Sequence, residues 1–315
     1  VRLVLDHLED RSVVGVRPVE HEEVREARRR DSQIGVGTVV PGLVEAGAFD
    51  GAVRLAQHRE QLAAHHPIGA GPGLPTPGGA VVDGRARELP GAGRATTLFN
   101  THWHREQVGG NLALGRSEAA IIAHEKTRAH LSTDYYLQGE DRYEKAPPKE
   151  ARPTITFFTG DQTLAGNELI GYGHLIEAHT DGDIYVFFRD ANVLAVGDAI
   201  SPLKDPVLDW FGGGWLGGRA DSQEKLLKLC NAETRIVPSN GPVVGRAELQ
   251  AEFDLTRTLF DRMLDLVRKG MSAQDMLDAG LMKDLNRTFR DPYRFTYDAH
   301  KGYWAHHNSL AGNVL

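Results

Sequence analysis

The sequence is short of several residue types, and each shortage narrows its class. A single cysteine, Cys230, excludes an internal disulfide and any cysteine-rich zinc module. No apolar run approaches the roughly 20 residues needed to cross a bilayer, so no membrane span is expected. Basic residues are outnumbered, 36 Lys and Arg against 43 Asp and Glu, for a formal net charge of -7. That balance lacks the basic face of an electrostatic nucleic-acid binder. Methionine is absent before Met263, and the chain opens on Val1. The natural start is therefore expected to lie ahead of this sequence, and a signal peptide could have gone with it. The compartment is then cytoplasmic, or periplasmic or secreted. At 315 residues the chain can bury a large core and hold one big domain or two small ones.

A second shortage is regional. Residues 1–98 contain no Lys, Asn, Trp, Tyr or Met, and Phe49 is their one aromatic. A core-forming segment of that length would bury several aromatic side chains, which supply large apolar areas. The stretch runs instead to Arg, Ala, Gly, Val, Pro and His, the set that GC-rich codons encode. Two readings stand side by side for residues 1–97. One is an out-of-frame or foreign segment joined to a real domain near Thr96. The other is a genuine N-terminal region with a helix over 19–30 and a Pro/Gly-rich linker over 67–95. No strand is evident ahead of Ala95. A foreign segment would leave the next sheet with an exposed edge, and the chain poorly stable or prone to aggregate.

From Leu98 onward the pattern is that of an ordinary α/β protein. "ATTLFNTHWH" is a short apolar β run ending in a polar loop. Ala119–Ala123 is a brief apolar run with a helical continuation. "TITFFTG" and "ELIGYGHLIEAHT" alternate like strands. "GDIYVFFRDANVLAVGDAI" reads as two strands joined by a turn at Arg189–Asn192. Arg235 to Val237 forms a further strand, running into a Pro/Gly loop. From Arg246 the chain turns helical, with Leu255, Leu259, Met263 and Val267 spaced by four and Gly270 placed as the stop. Ser272 and Asp275 have the spacing of a capping box. Three regions follow: 1–97, a domain over 98–250, and a C-terminal helical region over 251–315 that packs on it.

Four motifs in this order carry chemistry: "NTHWHREQVGGN", "EAHTDGDIYVFF", "NVLAVGDAI" and "IVPSNGPV". Together they resemble the motifs of the metallo-β-lactamase-fold hydrolases over about residues 96–250. The resemblance implies an αββα sandwich, α/β (α+β) in class, with its metal site between the two sheets. His102 and His104 match the first two ligands of the family's His-x-His-x-Asp-His motif, and His179 matches the third. Asp198 matches the carboxylate that lies between the metals in two-metal members. Three neutral imidazoles would leave a tetrahedral zinc with one open position, the arrangement of a catalytic zinc. A water held there is acidified towards pH 7.

The second metal position departs from the family pattern. Glu106 stands where the family has Asp, Gln107 where it has His, and Asn240 where the last His of the motif would fall. Gln and Asn offer only a neutral amide oxygen, a weak donor to zinc. One zinc per chain is therefore expected, with Glu106, Gln107 and Asn240 as weak second-site candidates. Glu106 has three readings: a general base, a carboxylate orienting a histidine, or part of a harder-metal site with Asp198 and the two amides. Glu106 and Asp198 are the carboxylates offered for catalysis.

Other histidines have blander readings. His124, His130 and His174 match no ligand position and read as satisfied buried or surface residues; His306 and His307 read as packing or surface groups. "FGGGWLGG" lacks the Lys-Ser/Thr of a phosphate loop. It reads either as a wall of a substrate cleft lined by Trp210 and Trp215 or as plain loop packing. Cys230, after a helical "QEKLLKLC", reads as a small buried hydrophobe. The resemblance thus implies a zinc-dependent hydrolase acting on an ester, amide or lactam, thioester or phosphoester small molecule. The alternative is a non-catalytic member of the fold that binds one metal or a ligand. Oligomeric state is left open by the sequence.

Overall fold

The computed structural model describes residues 38–41, 95–137, 142–165 and 168–311. The helix expected over 19–30, and the Pro/Gly-rich stretch up to residue 94, lie outside the described residues. In chain order the elements begin with β1 (Thr38–Pro41), β2 (Ala95–Phe99), α1 (Arg105–Val108), α2 (Asn111–Arg116), β3 (Ala120–His124) and α3 (Glu125–Ser132). Five strands come next: β4 (Tyr135–Leu137), β5 (Arg142–Glu144), β6 (Ile155–Phe157), β7 (Gly160–Ala165) and β8 (Glu168–His174). β9 (Ile184–Phe188), β10 (Val193–Gly197), α4 (Leu216–Leu229) and β11 (Arg235–Pro238) follow. Three helices close the chain: α5 (Arg246–Arg268), α6 (Ala273–Asp278) and α7 (Pro292–Ala311).

Two sheets carry these elements. The first has the order β1-β2-β3-β6, with β2, β3 and β6 parallel and β1 antiparallel at the edge. The second has the order β11-β10-β9-β8-β7, antiparallel except where β10 meets β11. β4 and β5 pair as a separate hairpin.

Alternation along the strands sets the layers, because successive side chains leave a strand on opposite faces. Phe99 and Ile122 point from the first sheet towards Ile170, Ile184, Val186 and Val193 of the second, forming the inner core. Their neighbours Leu98 and Ile121 point the other way, where Leu114 of α2 covers them. Leu194 and Val196 face outward from the second sheet, under Leu226 and Leu227 of α4 and Leu249 of α5. The layers therefore run helix, sheet, sheet, helix, which is the αββα sandwich. Each buried Leu, Ile or Phe side chain contributes about 1.5–3 kcal/mol, so these three clusters hold the layers together.

The stripe Leu259, Met263 and Val267 of α5 packs with Met276 of α6 and Phe295 of α7. Ser272 caps α6 through the reciprocal bonds with Asp275 that the sequence predicts.

Three expectations need correction. The first sheet does gain a strand from ahead of Ala95: β1, where β-branched Thr38, Val39 and Val40 pair with β2. β7 is an unforeseen edge strand; its Leu164 is exposed, so the segment shows little apolar signal. Helix α4 starts at Leu216, well before "QEKLLKLC", so the last three residues of "FGGGWLGG" are helical. Trp215, offered as a cleft wall, stacks on His306 of α7 with ring centroids 3.9 Å apart.

Candidate metal centre

The histidine loop is hung between the two sheets. Asn100 N donates to Ile122 O of the first sheet at 3.0 Å, and Thr101 O accepts from Ile184 N of the second at 2.8 Å. Residues 101–104 therefore bend, and α1 starts directly after His104. The loop is also tied to itself. Asn100 and Asn111 exchange side-chain amide hydrogen bonds of 2.8 and 2.9 Å, and Asn111 Nδ2 donates further to Ala151 O at 2.9 Å. The two asparagines that bracket "NTHWHREQVGGN" thus close it into a ring.

His179 lies in the connection from β8 to β9. The buried Asp183 carboxylate folds that connection by accepting from the His179 and Thr180 main-chain N–H groups and from Thr180 Oγ1. Burial raises the Asp183 pKa against the pull of these partners. Gly214 lies so close that a Cβ there would fall 2.0 Å from His179 O. Asp198 follows Gly197, whose φ of +58° turns the chain out of β10 beside Thr101 and His102.

These loops bring three histidines together. One ligand atom from each of His102, His104 and His179 lies within 4.8 Å of the other two. His104 Nδ1 and His179 Nε2 are 3.0 Å apart. The rings stand nearly perpendicular to one another, at 81–87°. Asp198 Oδ2 completes the group, 3.5 Å from His102 Nε2 and 3.8 Å from His179 Nε2.

The outer ring nitrogens have partners of their own. His104 Nε2 bonds Asp209 Oδ2 at 2.9 Å, His179 Nδ1 bonds Val207 O at 2.8 Å, and His102 Nδ1 lies 3.3 Å from Thr101 Oγ1. Carboxylate, carbonyl and hydroxyl partners are what hold metal-binding imidazoles in one tautomer and orientation. His102 Nε2 is buried and has no hydrogen-bond partner among the described residues. Leaving a buried polar atom unpaired is costly, and a cation would satisfy it. Zinc–nitrogen bonds of about 2.0–2.1 Å in a tetrahedron put ligand atoms about 3.3 Å apart, which is the scale of this cluster. The residues present fit a zinc ion.

Electrostatics divides the three imidazoles. Burial, and then the positive charge of His179 and His104, hold His102 well below its ordinary pKa. Burial acts the same way on His104, but the Asp209 hydrogen bond and charge, helped by Glu106 and Asp198, outweigh it and push His104 up to about 9. Burial would raise Asp209, yet its bond to His104 and the Gly212 N–H hold it low.

The second-site candidates are placed differently. Glu106 Oε1 is 3.8 Å from His104 Nδ1, on a side chain 42% exposed. Gln107 is buried, and its Nε2 has no hydrogen-bond partner among the described residues. Asn240 Nδ2 donates to Asp198 Oδ1 at 3.3 Å. His124 and His174 stack on each other 3.8 Å apart, His130 bonds Asp181, and His306 bonds Glu177. None of these four belongs to the three-histidine group.

Sequence reading missed Asp183, Asp209 and Arg219. Asp209 did carry a signal, since Asp followed three residues later by Gly marks a side chain that caps its own turn, and Asp209 Oδ1 accepts from Gly212 N.

The sequence profile of the metallo-beta-lactamase superfamily matches residues 72–238, more than half of the chain. The chain belongs to that superfamily. The match begins inside the compositionally unusual N-terminal segment. Similar solved structures include a metallo-beta-lactamase from Pontibacter korlensis, 20% identical with a TM-score of 0.42. The similarity covers 54% of this chain and 71% of that one. The DIM-1 metallo-beta-lactamase is 18% identical with a TM-score of 0.44, over 57% of this chain and 75% of its own. VMB-1 is 16% identical with a TM-score of 0.43, over 57% and 74%. No curated protein matches the chain.

Proposed function

We propose that this chain is a hydrolase working with one zinc ion held by His102, His104 and His179, with Asp198 beside them. The observation that carries the reading is the cluster itself: three imidazole nitrogens converge, and His102 Nε2 is buried with no hydrogen-bond partner among the described residues. When bound, zinc acidifies a water towards neutral pH and polarises the bond to be cleaved. Asp209 and the Val207 carbonyl fix the orientation of His104 and His179. Glu106 takes the general-base role, because its carboxylate is beside His104 and open enough to pass a proton to solvent.

Gln107 and Asn240 place amides where the family has histidines, which supports a single ion per chain. The same two residues favour a second reading, a non-catalytic member that binds one metal or a ligand. The substrate in the first reading is a small molecule with an ester, amide or lactam, thioester or phosphoester bond. Among the described residues no helix is long and apolar enough to cross a membrane.

Elemental analysis with an ester and lactam panel separates the readings. One zinc per chain with turnover, both lost in His179→Ala, supports the hydrolase. Zinc without turnover supports the binding reading. A chain that takes up no transition metal, and is unaffected by His179→Ala, overturns the hydrolase and leaves only ligand binding for the second reading.

A further inference from the structure

Asp198 is held at two points by residues outside the histidine group. Its main-chain oxygen accepts from Arg219 Nη1 at 2.7 Å, and the next carbonyl, that of Ala199, accepts from Gln223 Nε2 at 2.9 Å. Arg219 is fully buried on α4 and also donates to Ser201 Oγ at 3.1 Å. Glu252 of α5 lies 3.9 Å from the guanidinium and forms an ion pair with Arg287, which in turn donates to the Ser201 and Lys204 carbonyls. At the other end of the residue, Asn240 Nδ2 donates to Asp198 Oδ1. That leaves Oδ2 to face His102 Nε2 and His179 Nε2.

We propose that Asn240 and Arg219 are positioning residues that aim Asp198 Oδ2 into the histidine centre, so that its carboxylate faces a single metal held by the three imidazoles. The inference rests on the reading that the three histidines hold a metal. A carboxylate rotates freely about its last bond and presents either oxygen, or both. An amide donor on Oδ1 removes that choice, because one oxygen is taken and the other is left pointing inward. Only the oxygen of an amide can bind a cation, and the N–H side has no free lone pair. With its nitrogen turned to Asp198, Asn240 orients that carboxylate rather than acting as a ligand. Arg219 sets the other half of the geometry by fixing the backbone from which Asp198 projects.

The test uses the full chain and cobalt(II), whose visible bands report the ligand set, together with zinc affinity from competition against a chromophoric chelator. Wild type is expected to bind one cobalt. Asn240→Ala should lower zinc affinity about 10- to 100-fold and shift the cobalt bands, with the melting temperature unchanged. Asp198→Ala should lose affinity as well, and adding Asn240→Ala to it should cost nothing further, because Asn240 acts through Asp198. Arg219→Lys should move the bands in the same direction. If Asn240→Ala leaves both affinity and spectrum unchanged in a chain that binds one cobalt, this inference is wrong and the three-histidine reading stands. It is equally wrong if the Asn240 effect persists at full size in Asp198→Ala. A wild type that binds no cobalt overturns the parent reading along with this one.

Discussion

Asp209 sits 105 residues along the chain from the histidine it supports, yet the two side chains meet at 2.9 Å. Asp209→Asn keeps the shape and removes the charge. It should lower zinc affinity about 10- to 100-fold in chelator competition. Unchanged affinity would show that His104 is oriented without it. A second residue-scale effect lies away from the centre. Burial, then the charge of His124 and those of Lys126 and Lys225, push His174 from the usual 6.5 down to about 4. The fold therefore holds the neutral ring. Its contribution is complete above about pH 6.5 and is lost as the pH falls from there towards 4. Urea midpoints measured from pH 7 to 4.5 should fall less steeply in His174→Gln than in wild type. Parallel curves would rule His174 out as the group responsible. The three histidines were legible from the sequence because four motifs, in order, resemble those of the metallo-β-lactamase-fold hydrolases; the His-x-His spacing alone is a weak signal. Arg219 was not, since its partners are set by tertiary packing alone, and for Asp209 the sequence marks its turn but not its bond to His104.

Among the elements, β8, β9 and β10 were readable because their apolar residues alternate or run together. The start of α4 was not. Arg219, Ser222 and Gln223 are buried there, where a helix would ordinarily show leucines, and hydrogen bonds to the Asp198–Ser201 loop take the place of apolar contacts. α7 lies in the helical region expected over 251–315, but its bounds were not legible, because its buried face mixes Phe295 and Thr296 with Ala299 instead of a leucine stripe. The hinge between β10 and Asp198 is testable at this scale. Gly197 has φ of +58°, and a Cβ would lie 2.9 Å from Thr101 Cβ. Gly197→Ala should cost more than the roughly 1–2 kcal/mol of the left-handed conformation alone, read as a lower denaturation midpoint. A variant as stable as wild type would mean that the loop can move freely, which would also weaken the case that Asp198 is held in place.

For the molecule as a whole, the C-terminal helices do more than cover a sheet. Their cluster includes Leu208, from the loop that supplies Val207 O and Asp209, and Leu216, which opens α4. Met276 is fully buried in that cluster, so Met276→Ala should cost about 2–5 kcal/mol, read from urea unfolding. The Arg219–Glu252–Arg287 network joins the same helices to the Asp198 loop. Glu252→Ala strands two guanidinium groups and should cost about 3–5 kcal/mol. A near-neutral result would show that water replaces the carboxylate.

The ring closed by Asn100 and Asn111 has a consequence in time. A loop pinned to both sheets and to itself has little left to order when a cation arrives. Capture should then be limited by stripping water from the ion, and not by folding of the protein around it. Hydrogen exchange makes the point visible. The amide protons of Asn100 and Ile184, bonded into the two sheets, should exchange with solvent equally slowly with and without zinc.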